Sequence, residues 1–327
     1  MTEPTVLVLA EHDGDSLRSI SLELLGAARR IADDLGHGVK VVAFGAGATA
    51  AAKEAILYGA DAGFAAEDAA LDEYYSDSWA SALSDVINQL EPSVVLIGQT
   101  AVGRDLAPRI AIRAGTAVAM DCIALEVAEG RLAMTRPSFG GKAHARYTSK
   151  TMPQIATVRA KSQAPAQRDA SRSGTVDAIE LKLAPSVIRI LAREMSDSDG
   201  PRLEDAKVVV SGGRGLGSAE AFSELGALAR VLNGSIGSSR AAVDLGWAPV
   251  SSQVGLTGKV VTPDLYIAIG ISGASQHIAG MTGARTVVGV NTDPNAEIFK
   301  YARFGIVADW KRFLPAFTEA CRNLLKP

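Results

Sequence analysis

The chain has 327 residues, 47% of them hydrophobic and 21% charged, with a net charge of −3. That length supports two domains with separate cores, and the charge balance excludes a basic nucleic-acid footprint. Cys122 and Cys321 stand far apart, without CxxC or metal-ligand spacing, which suits a reducing compartment. The first apolar run, Val6–Ala10, meets Glu11, His12 and Asp13 at once and is too short for a signal peptide. No stretch is long enough to cross a bilayer, so the chain reads as cytoplasmic and not membrane-inserted.

Thr5–Ala10 is a continuous apolar run, as in a strand buried on both faces. Leu17, Ile20, Leu24, Ala28, Ile31 and Leu35 recur at spacings of three and four, predicting a helix with Asp15 as N-cap and Gly36 as its stop. Val39–Phe44 and Ser93–Gly98 read as buried strands, and Thr49–Leu57, Trp79–Leu90 and Leu106–Ala114 as helices. This alternation implies a parallel sheet flanked by helices. Ala117–Leu125, Leu132–Ser138, Ala143–Tyr147 and Gln154–Val158 follow as strands with short turns, an antiparallel extension of that sheet.

Polar breaks at 163–174 and 197–202 separate this series from a second one. The domains are therefore set at 1–200, including a linker at about 163–200, and 201–327. The second series has strand Lys207–Ser211, a glycine turn, and helix Ser218–Leu232 capped by Ser218. Strands Leu265–Gly270, Thr286–Val290 and Gly305–Ala308 and helix Phe313–Leu325 complete it. The fold class is α/β in two domains: a parallel-sheet domain with an antiparallel extension, then a doubly wound domain.

The chemistry gathers in the second series. Gly213, Gly215 and Gly217 form GxGxG, with Ser218 where the dinucleotide fingerprint GxGxxG has its last glycine. The turn fits either a tight strand-to-helix connection or a phosphate cradle at a helix N-terminus. Arg214 within it suits an anion or an aromatic ring face. Gly255-Leu256-Thr257-Gly258-Lys259 resembles part of a phosphate loop but precedes a strand-like run, Val260-Val261, which argues against a nucleoside triphosphatase. Strand Ile267–Ser272 empties into Gly273-Ala274-Ser275-Gln276-His277, the kind of place where open α/β sheets bind ligands. Asn291 and Asp309 follow two further strands, as turn and cap formers or as nucleotide contacts.

SGGRGLG, SSRAAVD, QVGLTGK, LYIAIGISGASQH, NTDP and IVAD stand in the order and spacing of the electron-transfer flavoprotein alpha subunit, which the chain resembles over nearly its whole length. AEHDGDSL, GRDLAPRIA and RPSFGGKAHA extend the resemblance into a first domain of nucleotide-hydrolase-like fold. It implies FAD bound mainly by the second domain, in a heterodimer with a beta subunit. By motif, Arg214 and Arg240 would lie near the isoalloxazine with Ser239 beside them, and Thr257 near N5 with Gln253 close by. Ser272, Gly273 and Gln276 would line the ribityl–pyrophosphate path, and Gly215, Val254, Gly255, Gly258, Gly270 and Ala274 would also belong to the cofactor-binding set. His277 would approach the N1/O2 edge, and Asn291 and Asp309 the ADP portion. Leu256 departs from the family, many members having glutamine there. Cations such as Arg240 and a protonated His277 would stabilise negative charge at N1/O2.

The resemblance implies an electron carrier rather than a substrate-transforming enzyme. Electrons would pass from acyl-CoA dehydrogenases and related flavoproteins, as in fatty acid beta-oxidation, to a membrane quinone oxidoreductase. An electron-bifurcating or nitrogen-fixation-associated member, with a second flavin in the partner, is the related alternative. A nicotinamide-dependent deacylase commonly carries a four-cysteine zinc site, which two cysteines cannot form. A non-redox nucleotide-binding module is the alternative of another class.

Overall fold

A computed structural model of the chain describes residues 3–141, 143–183, 186–192 and 200–325. The chain divides into two compact units, 1–192 and 193–327. The first half of the predicted polar break, 197–199, lies outside the described residues.

In the first unit, β1 (Thr5–Leu9) is buried along its whole length. Val6 and Val8 face one core and Leu7 and Leu9 another, which is why the run is apolar without alternation. A small hairpin, β2 (His12–Asp13) and β3 (Ser16–Leu17), precedes α1 (Ser19–Leu35). Asp15 therefore belongs to the hairpin turn and does not cap the helix; Arg18 takes the N-cap place, its side chain bonding Asp13 and not the helix backbone. Gly36 ends the helix in the left-handed region at φ 69°, as its spacing predicts.

The chain continues through β4 (Gly38–Phe44), α2 (Ala48–Leu57), β5 (Ala62–Ala66), α3 (Ser76–Leu90), β6 (Val94–Gly98) and α4 (Ala101–Arg113). Then come β7 (Val118–Cys122), β8 (Ala124–Ala128), β9 (Arg131–Ser138), β10 (Ala143–Thr148), β11 (Gln154–Val158) and β12 (Thr175–Ala178). Seven strands form one parallel sheet in the order β12-β5-β4-β1-β6-β11-β7.

The predicted antiparallel strands split differently. β8, β9 and β10 form their own three-stranded sheet, whereas β7 and β11 are parallel members of the main one. The expected strand Ala117–Leu125 splits at Ile123 into β7 and β8; within β7, Asp121 takes φ 65° where the pairing with β11 shifts register, and its carboxylate receives two bonds from Arg159 at 2.9 and 2.6 Å. The unpredicted β12 pairs with β5, so part of the expected linker is the sheet's edge.

The second unit has β13 (Val208–Gly212), α5 (Ala221–Val231), β14 (Ser235–Ser238), α6 (Arg240–Asp244) and β15 (Leu265–Ile269). It ends with α7 (Ser275–Ile278), β16 (Thr286–Asn291), β17 (Phe304–Val307) and α8 (Trp310–Leu324). The five strands are parallel in the order β14-β13-β15-β16-β17. Val210, Ile267 and Ile269 pack on α5 and α8, while Val209, Tyr266 and Ala268 face the other core. Burying each large side chain contributes roughly 1.5–3 kcal/mol.

Two local expectations fail here. Arg214–Leu216 closes a short 3-10 turn ended by Gly217 at φ 87°, so α5 starts at Ala221 and Ser218 does not cap it. Its hydroxyl serves the Glu220 carboxylate instead. Val260-Val261 is not a strand: only Lys259 bridges, to Val254.

Candidate cofactor site at the strand ends of the second unit

β13 is the first strand of its sheet in chain order, with the second strand on one side and the third on the other. The loops after β13 and β15 therefore leave the sheet at a topological switch point, where open α/β sheets form a crevice. These loops pack on each other. The Gly213 N–H donates to the Ile269 carbonyl at 2.9 Å and the Gly215 N–H to the Gly270 carbonyl at 3.0 Å. A Cβ at Gly213 would overlap the Gly270 carbonyl oxygen. The glycines thus serve loop-to-loop contact first, which their spacing alone does not reveal.

The 253–258 loop closes a second wall. The Val254 N–H donates to Ser238 at 2.9 Å, and the Leu256 N–H to the Gln276 carbonyl at 2.7 Å. Gly255 sits at φ 147°, where an added Cβ would meet that same carbonyl oxygen at 2.8 Å. Gln253 is buried and donates through Nε2 to Thr257 Oγ1 at 3.0 Å. Because the Thr257 oxygen accepts that bond, its own proton remains available to a ligand. Gly258 also packs against the Gln253 backbone.

Around these walls stand the exposed groups Arg214, Arg240, Thr257, Ser272, Ala274 and Gln276. Arg240 lies 3.5 Å from Asp244 on α6, an exposed pair that holds it weakly. Ser239 caps α6, its hydroxyl accepting from the Ala242 N–H at 3.4 Å. Arg214 makes no ion pair among the described residues. Gly273 is buried against Ile298, whose N–H bonds Ser272 at 3.1 Å. Leu256 leaves 62% of its surface exposed, so the residue that departs from the family pattern supports no core.

Asn291 and Asp309 both have structural duties. Asn291 donates to the Ile271 carbonyl at 3.0 Å and accepts from the Asp293 N–H at 3.0 Å. Asp309 caps α8, accepting from the Lys311 N–H at 2.9 Å. Ala308 bonds Asn291 at 3.1 Å, which ties both to the same sheet edge.

His277 is deeply buried. It lies on the single turn α7 and is 6% exposed, with Nε2 2.9 Å from the Tyr266 hydroxyl. Burial pushes its pKa down to about 4, with the Val254 backbone acting the other way. Burial thus favours the neutral imidazole, whereas the resemblance implies a protonated ring only beside negative charge on a flavin. Its Nδ1 is buried and has no partner in hydrogen-bond geometry. The sequence reading also passed over Tyr266, Ser211 and the buried pair Ser238–Ser252, whose hydroxyls meet at 2.8 Å. A tyrosine inside a buried strand was the available signal, since its hydroxyl must find a partner.

These groups fit a large anionic dinucleotide. Two exposed guanidiniums stand at the crevice, free hydroxyls line it, and an orphaned buried Nδ1 needs a partner. By contrast, an open cleft of about 530 Å³ in the first unit has arginines already committed: Arg29 pairs with Asp33 and Asp61, and Arg172 with Asp61.

The fold is that of a doubly wound α/β domain, with a crevice at the topological switch point where such sheets bind ligands. Residues 6–184 match the electron transfer flavoprotein domain, and residues 202–282 match the electron transfer flavoprotein FAD-binding domain. An electron transfer flavoprotein subunit alpha of Thermoanaerobacterium thermosaccharolyticum is 41% identical over 323 residues, covering 98% of each chain. Another, from Bacillus subtilis, is 40% identical over 321 residues with the same coverage. Protein FixB of Rhizobium meliloti is 41% identical over 332 residues, covering 98% of this chain and 94% of its own. The chain belongs to the electron transfer flavoprotein alpha subunit family, and its role is that of an electron transfer flavoprotein. Among the described residues, no helix is long and apolar enough to cross a membrane.

Proposed function

We propose that this chain is the FAD-holding subunit of a cytoplasmic heterodimer with an electron transfer flavoprotein beta subunit. It takes electrons from acyl-CoA dehydrogenases and related flavoproteins and passes them to a membrane-bound quinone oxidoreductase. The observation that carries this reading is the crevice between the β13 and β15 loops, with exposed Arg214 and Arg240 and the orphaned Nδ1 of His277.

Bound FAD supplies the electron acceptance and release; the chain's residues bind it, orient it and set its electrostatics. Arg214, Gly215, Ser239 and Arg240 would hold the isoalloxazine end. Thr257, oriented by Gln253 and flanked by Val254, Gly255 and Gly258, would offer its hydroxyl proton to the ring. Gly270, Ser272, Gly273, Ala274 and Gln276 would line the path to the pyrophosphate, and Asn291 and Asp309 would serve the ADP portion. His277 would face the ring's oxygen-bearing edge as a neutral donor, with positive charge supplied by the arginines.

The test is to purify the chain with its partner and add acyl-CoA and a trace of acyl-CoA dehydrogenase without oxygen. The flavin absorbance bleaches if the reading is right. A complex that carries no flavin overturns it and favours the non-redox nucleotide-binding module. A second reading, an electron-bifurcating or nitrogen-fixation-associated member, is favoured by the similarity to proteins named FixB. Two FAD per heterodimer together with NADH oxidation would select it.

A further inference from the structure

Tyr266 is fully buried in a strand otherwise built from Leu265, Ile267, Ala268 and Ile269. A phenol in that position costs stability unless its hydroxyl is bonded. The bond goes to His277 Nε2 at 2.9 Å, with the rings meeting edge-on at 6.1 Å between centroids. Among the described residues the phenol hydroxyl has no other partner in hydrogen-bond geometry, so a proton turned anywhere but toward the imidazole would be buried unpaired. Nε2 then accepts, and a neutral ring must carry its proton on Nδ1. That Nδ1 is buried and meets no partner in hydrogen-bond geometry, with the Val254 backbone acting on the ring from the loop wall.

We propose that Tyr266 is a positioning residue: by donating to His277 Nε2, it fixes the Nδ1–H tautomer and presents that N–H to an oxygen-bearing edge of the bound flavin. The last step rests on the FAD reading; the tautomer does not. A ring free to exchange tautomers would turn a lone pair toward a carbonyl oxygen for part of the time. The Tyr266 bond removes that state.

The test is ¹⁵N NMR of the histidine-labelled complex, FAD-loaded and FAD-depleted, with His277→Gln to assign the signals. The expected result is a protonated Nδ1 and an unprotonated Nε2 at neutral pH in both forms, with the Nδ1 signal moving on FAD loading. Tyr266→Phe shifts the tautomer ratio toward Nε2–H by roughly fivefold, the worth of one neutral hydrogen bond. A wild-type ring protonated on Nε2, or an unchanged ratio in Tyr266→Phe, overturns the proposal. If that variant does not fold, the wild-type tautomer still decides. An Nδ1–H signal indifferent to FAD overturns the presentation to flavin. A complex without any flavin instead defeats the FAD reading and leaves the tautomer measurement standing.

Discussion

At the C-terminal edge of the first sheet, between β1 and β6, the chain places a buried carboxylate. At the matching edge of the second sheet, between β13 and β15, it places glycine loops, two exposed guanidiniums and an orphaned imidazole nitrogen. Glu11 Oε1 accepts from the Thr100 hydroxyl at 2.7 Å, and its other oxygen lies 3.6 Å from Arg18. Burial pushes this carboxyl above its usual range, against the Thr100 bond and Arg18. A Cβ at Gly98 would come within 2.8 Å of Ile20 and 2.9 Å of Glu11, so the crevice is filled from within. Both sheets offer a switch point, and on the proposed function the residue at the strand tip decides whether it receives an anion. An acid fills one; Gly-Gly-Arg leaves the other open.

Acid tests this contrast most strongly. Burial pushes the His277 pKa down to about 4 from its ordinary 6.5. The unfolded chain therefore binds more protons between those values, and the histidine's contribution is complete above about 6.5 and lost as pH falls toward 4. Urea unfolding should show a loss on the order of 3 kcal/mol across that window, from two to three pKa units at 1.36 each. His277→Gln should flatten the slope.

Next in size, Gly213→Ala forces backbone against backbone and should destabilise the second unit by about 1–3 kcal/mol while emptying it of flavin. Gly98→Ala meets the side chains of Ile20 and Glu11 instead, so it should cost less and leave the flavin content unchanged. Thermal melts with released-flavin assays check both.

Arg240→Ala should lower the flavin midpoint potential by roughly 65 mV, about 1.5 kcal/mol for one electron, with FAD largely retained. An unchanged potential in spectroelectrochemical titration would remove Arg240 from that role. Thr257→Ala should shift the potential least, by about 0.5–1.5 kcal/mol.

Much of this was legible in the sequence because fully buried strands such as Thr5–Leu9 and Val94–Gly98 advertise themselves as apolar runs. Ala62–Ala66 and Ser235–Ser238 were not legible. AGFAA and SIGS are short and poor in branched side chains, and they become strands by pairing with β4 and β13. The motifs located the crevice, but not how its parts are used. The Gly213 and Gly215 packing depends on a loop more than fifty residues away, at Gly270. The charge state of His277 depends on its burial against Tyr266, which no local pattern encodes.

Hydrogen–deuterium exchange of the purified complex, with and without FAD, tests the central claim most directly. FAD should protect the backbone at 213–217, 253–258 and 270–277 and leave 10–18 and 98–100 unchanged. Protection at the Glu11 edge of the first unit, or none at the β13–β15 loops, would contradict the account.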